Sequence, residues 1–143
     1  MKISYAITVC NELEEIKRLI SFLYQHKHHE DEICVLLDKP KAPQALLDEL
    51  YRYSSANWIT LKEGEFQGHF ADWKNQLMDM CSGDYIFQID ADEIPNEYLI
   101  ESLPEILRDN PTVEAYVVPR VNTVEGLTPE HIAKWGWHVN ENG

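Results

Sequence analysis

The sequence predicts an α/β protein with a mostly parallel sheet and helices on both faces. Three observations carry this. Short apolar runs alternate one for one with stretches of helical period, from Ile3 to Val118. The runs are apolar at nearly every position instead of every second one, as in strands covered on both faces. The chain has 143 residues, 44% apolar and 26% charged, enough for one domain with a core of its own.

Ile3 to Val9 is β-branched and apolar and reads as the first strand. Leu13, Ile16, Leu19, Ile20 and Leu23 follow at helical spacing. Asn11 is the expected N-cap, with Glu12, Glu14 and Glu15 in the first turn. Glu32 to Leu37 reads as the second strand, ending at Asp38-Lys39-Pro40. Leu46, Leu47 and Leu50 mark a helix after Pro43, and Trp58 to Leu61 a short third strand. Phe70, Trp73, Leu77 and Met80 share one face of the next helix. Ser82-Gly83-Asp84 turns into a fourth strand, Tyr85 to Ile89. Pro95 suits the first turn of a fourth helix carrying Leu99, Leu103, Ile106 and Leu107, and Val113 to Val118 reads as a fifth strand.

The formal charge of −13 argues against a nucleic-acid partner, whose affinity comes from clustered Lys and Arg. Cys10, Cys34 and Cys81 are odd in number and widely spaced, which excludes a disulfide framework and points to free thiols in a reducing compartment. No apolar run reaches the ~20 residues that span a bilayer. The first strand lacks the small-residue cleavage site of a secretory signal. A cytoplasmic location is the expectation.

In parallel α/β sheets ligands bind beyond the carboxyl ends of the strands. Here those ends carry Thr8 to Glu12, Asp38, and Asp90-Ala91-Asp92-Glu93. The last is the strongest signal, a buried strand running into three carboxylates within four residues. Such acids repel one another unless a hard divalent cation joins them by oxygen ligation. Mg²⁺ or Mn²⁺ on one or two carboxylates keeps positions open for phosphate oxygens. The bland alternative is a solvated acidic turn before a helix. Likewise Asp38 can cap the turn before Pro40, and Lys74 can be a solvated helix residue. His26, His28 and His29 end a helix in a polar loop with no strand-end acid beside them, so a solvated loop is expected there, not a metal site.

Asp84 to Glu93 resembles the "GDYI-x-x-x-DADE" segment of family 2 glycosyltransferases, which closes their central nucleotide-binding strand. Ile7 to Glu12 is similar to that family's first strand, which ends in an Asn-Glu pair beside the donor. Leu36-Leu37-Asp38 resembles its second strand, whose Asp contacts the base. His69 to Gln76 stands in place of the "A-R-N" helix start, with Lys74 where Arg is usual, and Val118 to Thr123 looks like a later strand and loop.

The resemblance implies a Rossmann-like GT-A fold. It also implies metal-dependent, inverting transfer from a nucleotide-diphosphate sugar, UDP-linked by default, to a saccharide or other hydroxyl acceptor. Thr8, Cys10, Asn11, Glu12 and Asp38 are the expected donor contacts, together with Lys74, Asp90, Ala91 and Asp92. Asp90 and Asp92 are the expected Mn²⁺ or Mg²⁺ ligands. The family domain is longer, and its catalytic carboxylate has no match in context here. The expectation is therefore one incomplete donor-binding domain over residues 1–143, lacking the acceptor part and the base. Glu125 is a stray loop carboxylate, and Trp135 and Trp137 are expected at an interface or in the core. An exposed sheet edge would favour self-association.

Two other functions compete. One is a nucleotide- and metal-binding module without turnover. The other is a nucleotidyltransferase, which would bring a Gly-rich phosphate loop that is absent after the first strand.

Overall fold

The structure is a computed structural model whose described residues are 1–116. Among them four strands and four α-helices alternate along the chain: β1 (Ile3–Val9), α1 (Leu13–His26), β2 (Glu32–Asp38), α2 (Gln44–Ser55), β3 (Thr60–Gly64), α3 (Phe70–Asp79), β4 (Tyr85–Asp90) and α4 (Glu97–Asp109). A single 3₁₀ turn, Lys39–Lys41, follows β2. The chain divides into two compact units, Met1–Pro111 and Thr112–Gly143, and all these elements lie in the first.

The strands form one parallel sheet in the order β3-β2-β1-β4. Strand alternation splits their side chains between two layers. Ile3, Tyr5, Ile7 and Val9 of β1 join Ile33, Val35 and Leu37 of β2 under α1, α2 and α4. Ala6 and Leu36 point the other way and meet Trp73 and Leu77 of α3. Helices on both faces explain why β1 and β2 are apolar throughout. On the larger face Ile16, Leu19, Ile20 and Leu23 of α1 are fully buried. Each contributes roughly 1.5–3 kcal/mol of hydrophobic free energy.

Several boundaries differ from the expectation for local reasons. Glu12, not Asn11, occupies the cap position of α1 and makes no side-chain cap bond. Its carboxylate folds back to accept the Cys10 and Asn11 amides at 2.9 and 3.2 Å. The third strand runs over Thr60–Gly64, because Trp58 is drawn out of the sheet into stacks with Tyr24 and Tyr53. Asn96 caps α4 and leaves Pro95 outside the helix, the Asn96 Oδ1 accepting the Tyr98 amide at 2.8 Å. Ile100, Leu103, Pro104 and Leu107 face inward, and Ile106 is exposed. Residues 113–116 of the expected fifth strand have no regular structure. Its remainder lies outside the described residues, as do Arg120, Glu125, His131, Trp135, Trp137 and His138.

The histidine group is not simply solvated. His26 packs on Phe22 with ring centres 4.6 Å apart. Its Nδ1 meets Glu101 Oε1 at 3.0 Å, and its Nε2 lies 3.8 Å from Glu97. It thus ties the end of α1 to α4. No helix among the described residues is long and apolar enough to cross a membrane.

Candidate functional site

Chain direction through the sheet sets the site. After β1 the chain steps outward to β2 and then β3, and β4 inserts on the opposite side of β1. The loops leaving β1 and β4 therefore diverge, and a crevice opens between them at the carboxyl ends. Thr8 is in register with Asp90 across that boundary and with Leu36 on its other side.

The β4 end shows why acids flank a small residue. Asp90 and Asp92 are exposed, whereas Ala91 is 5% exposed and belongs to the core beneath the helices. The turn is closed twice by Glu93: its amide donates to Asp90 O at 3.0 Å, and its Oε1 accepts the Asp90 amide at 2.9 Å. Asp92 shares a small recess with Ala91, Ile94, and Glu15 and Arg18 of α1. Lys74, on the second turn of α3, holds its ammonium 4.0 Å from Asp90 Oδ1. This loose ion pair sits between half-exposed groups.

Asp38 ends β2 in a different setting. It is 4% exposed. Its Oδ1 accepts the Phe66 amide at 3.3 Å. Its Oδ2 lies 3.6 Å from the Lys41 ammonium and accepts from the Cys10 thiol at 3.9 Å. Burial, then the charges of Asp38 and Glu12, push the Cys10 thiol above its usual range, so at neutral pH it remains an S–H donor and not a thiolate nucleophile. Asn11 is exposed at the crevice mouth. Gly64 ends β3 where an added Cβ would come within 3.0 Å of the Trp73 ring. That close approach lets α3 lie across the carboxyl ends of β2 and β1.

The structure separates the nine expected positions: Ala91 packs into the core, Asn11 is exposed, and the other seven fall into smaller sets. Thr8 and Asp90 meet at the β1–β4 boundary, Lys74 reaches Asp90 from α3, and Asp92 faces the recess beside α1. Cys10 and Asp38 touch one another. Glu12 is occupied with its own turn. Sequence reading passed over Phe66, Lys41 and Arg18, which border these groups. Phe66 carried a faint signal as an aromatic residue in the polar loop before α3. Among the described residues no three His, Cys, Asp or Glu side chains converge as a metal site.

Comparison with known proteins now decides the family. The model of glycosyl transferase family 2 matches residues 4–142. The chain belongs to this family. No curated protein matches the sequence. Among solved structures, residues 1–349 of S. aureus TarS in complex with UDP-GlcNAc superpose with a TM-score of 0.65 at 19% identity, covering 84% of this chain and 37% of that one. A longer TarS structure gives 0.63 at 18% identity. The mannosyltransferase PcManGT from Pyrobaculum calidifontis, in complex with GDP-Man and Mn²⁺, gives 0.62 at 16% identity, over 73% of this chain and 32% of that one. These likenesses establish the GT-A fold. The chain spans between 23% and 39% of the length of the TarS structures it matches.

Proposed function

We propose that this chain is the donor-binding portion of a glycosyltransferase. It would bind a nucleotide-diphosphate sugar, UDP-linked by first preference, for inverting transfer to a hydroxyl acceptor with the help of Mn²⁺ or Mg²⁺. One observation carries the reading. Two exposed carboxylates, one residue apart, end a parallel strand at the switch in strand order, with a lysine ammonium 4.0 Å from the first. The likeness to TarS bound to UDP-GlcNAc supports a UDP donor, and the likeness to PcManGT bound to GDP-Man and Mn²⁺ supports a metal.

The donor set fits such an ion. Asp90 and Asp92 offer two hard oxygen donors, and no third acidic, histidine or cysteine ligand joins them among the described residues. Mg²⁺ and Mn²⁺ suit one or two carboxylates plus water and phosphate, whereas a closed structural zinc site takes four protein ligands. When bound, the ion offsets negative charge on the diphosphate.

The chain's own residues do the rest. Asp90 and Asp92 would hold the ion, placing two carboxylates at the diphosphate end of the donor. Lys74 sets a point charge beside the same phosphates. Thr8 lines the crevice at the ribose, and Cys10, Asn11 and Asp38 border the base. Glu93 is committed to the Asp90 turn, so we assign the carboxylate that takes the acceptor proton to a part of the protein outside residues 1–116.

Calorimetric titration of Mn²⁺ with and without UDP tests the reading. Weak binding of Mn²⁺ alone is expected to become tight with UDP, and Asp92→Ala is expected to abolish the gain. An Asp92→Ala chain that binds UDP and Mn²⁺ like the parent would sink the assignment.

A further inference from the structure

The stripe that packs α3 onto the sheet does not stop where the sheet stops. Trp73 and Leu77 lie buried against Ala6 and Leu36. Phe70, three and seven residues earlier on the same stripe, opens α3 and is 71% exposed. Burying a Phe is among the larger hydrophobic gains open to a fold, yet this one stays in solvent one helical turn before Lys74.

It is also held in place. Its ring meets Phe66 with centres 4.9 Å apart and planes tilted by 45°. Phe66 is fixed from three sides. Its amide donates to buried Asp38, its ring meets Trp73 at 5.9 Å edge-on, and the Lys41 ammonium stands 5.7 Å from its centre. A pre-ordered aromatic pair thus adjoins Asp38 at the end of β2, with the outer ring open to solvent.

Spacing along α3 indicates what the pair takes. Phe70 and Lys74 are four residues apart on one face of the helix, about 6 Å along its axis. Lys74 faces Asp90 at the diphosphate end of the site. A flat ligand group on Phe70 would therefore sit one ribose away from a diphosphate at Lys74. We propose that Phe70, backed by Phe66, is the stacking platform for the donor's nucleobase. This rests on the donor-binding reading above and adds to it a residue that recognises the base by its π-face, independent of hydrogen-bonding pattern.

The experiment titrates the full 143-residue chain, with Mn²⁺ present, with UDP, GDP and inorganic pyrophosphate. Phe70→Ala is expected to weaken the better nucleotide by about five- to hundredfold, the range for loss of one base–aromatic stack. Pyrophosphate affinity should not change, and Phe70→Tyr should restore nucleotide affinity. Because Phe70 is exposed, these variants should fold as the parent does. Unchanged nucleotide affinity in Phe70→Ala overturns the platform and leaves the donor site standing, as does an equal loss of nucleotide and pyrophosphate. A parent chain that binds neither UDP nor GDP overturns the donor site, and the platform with it.

Discussion

The acids at the amino end of the parallel sheet and the exposed Asp90 and Asp92 at its carboxyl end serve opposite purposes. At the amino end the acids are knotted into the fold. Glu32 Oε1 accepts from Ser4 Oγ at 2.6 Å and from the Ser82 amide and hydroxyl at 2.6 and 2.9 Å, and its Oε2 lies 3.3 Å from Lys2 Nζ. Asp84 accepts the Lys2 amide and Asp31 the Ile3 amide, both at 2.9 Å. Gly83 completes the knot because a Cβ there would fall 2.7 Å from Ser4 Oγ and 2.8 Å from its nitrogen. At the carboxyl end Asp90 and Asp92 are exposed one residue apart, with a loosely paired Lys74 beside them. The amino-end acids stabilise the sheet. In a chain of net charge −13, Asp90 and Asp92 add repulsion that a bound cation would relieve.

The largest expected effect comes from removing that repulsion. The double variant Asp90→Asn, Asp92→Asn should lose UDP–Mn²⁺ affinity by at least about hundredfold, the upper end of what loss of a merely supporting residue produces. Its unfolding free energy should stay within about 0.5 kcal/mol of the parent's or rise, since no buried donor is orphaned. Denaturant melts beside calorimetry read both quantities. A stability loss as large as the binding loss would mean that the two ends are not different in kind.

Glu32→Gln should behave in the reverse sense. A neutral amide keeps the shape but weakens the charge-assisted bonds and loses the Lys2 pair, for about 1–3 kcal/mol of stability, with UDP binding untouched. Acid supplies a second readout. Burial alone would raise the Glu32 carboxyl, but bonds from Ser4 and Ser82 and the Lys2 charge hold it down to about 2, against an ordinary 4.5. As pH falls the unfolded chain therefore takes this proton first. The contribution is complete above pH 4.5 and is lost as pH drops toward about 2. Melts over that window should show a steeper acid loss for the parent than for Glu32→Gln.

What sequence could reveal follows the same division. Strand–helix order was legible because burial on two faces imposes apolar runs, as in Ile33–Leu37, and burial on one imposes the Ile16–Leu23 stripe. The Asp90-Ala91-Asp92 motif stood out because two carboxylates around an alanine at a strand end serve little in the way of packing. Pairings decided by long-range geometry were not legible. Nothing local says that His26 reaches Glu101, that the Glu12 carboxylate turns back on Cys10, or that Asp38 holds the Phe66 amide. His26–Glu101 and Asp38–Phe66 join different elements, and the Glu12 bond, though local, competes with helix capping by Asn11; hydrogen bonds leave no period in sequence.

The smallest expected effect belongs to Lys74, and it sharpens the comparison at its weakest point. Its ion pair with Asp90 is long and exposed, so for the fold it is worth between nothing and about 1 kcal/mol. Lys74→Ala should leave the melting curve close to the parent's. If the ammonium also meets the diphosphate, the same variant should weaken UDP–Mn²⁺ binding by about two- to fivefold, the scale of one solvent-screened charge. The loss should shrink with added salt as screening lengths fall from ~10 Å at 0.1 M to ~3 Å at 1 M. Lys74→Arg places a fork of donors where a point charge stood, and such forks grip phosphate through two bonds. Its affinity should equal or exceed the parent's. Lys74→Ala and Lys74→Arg chains that bind UDP–Mn²⁺ identically at low salt would remove Lys74 from the donor site and leave it a solvated helix residue.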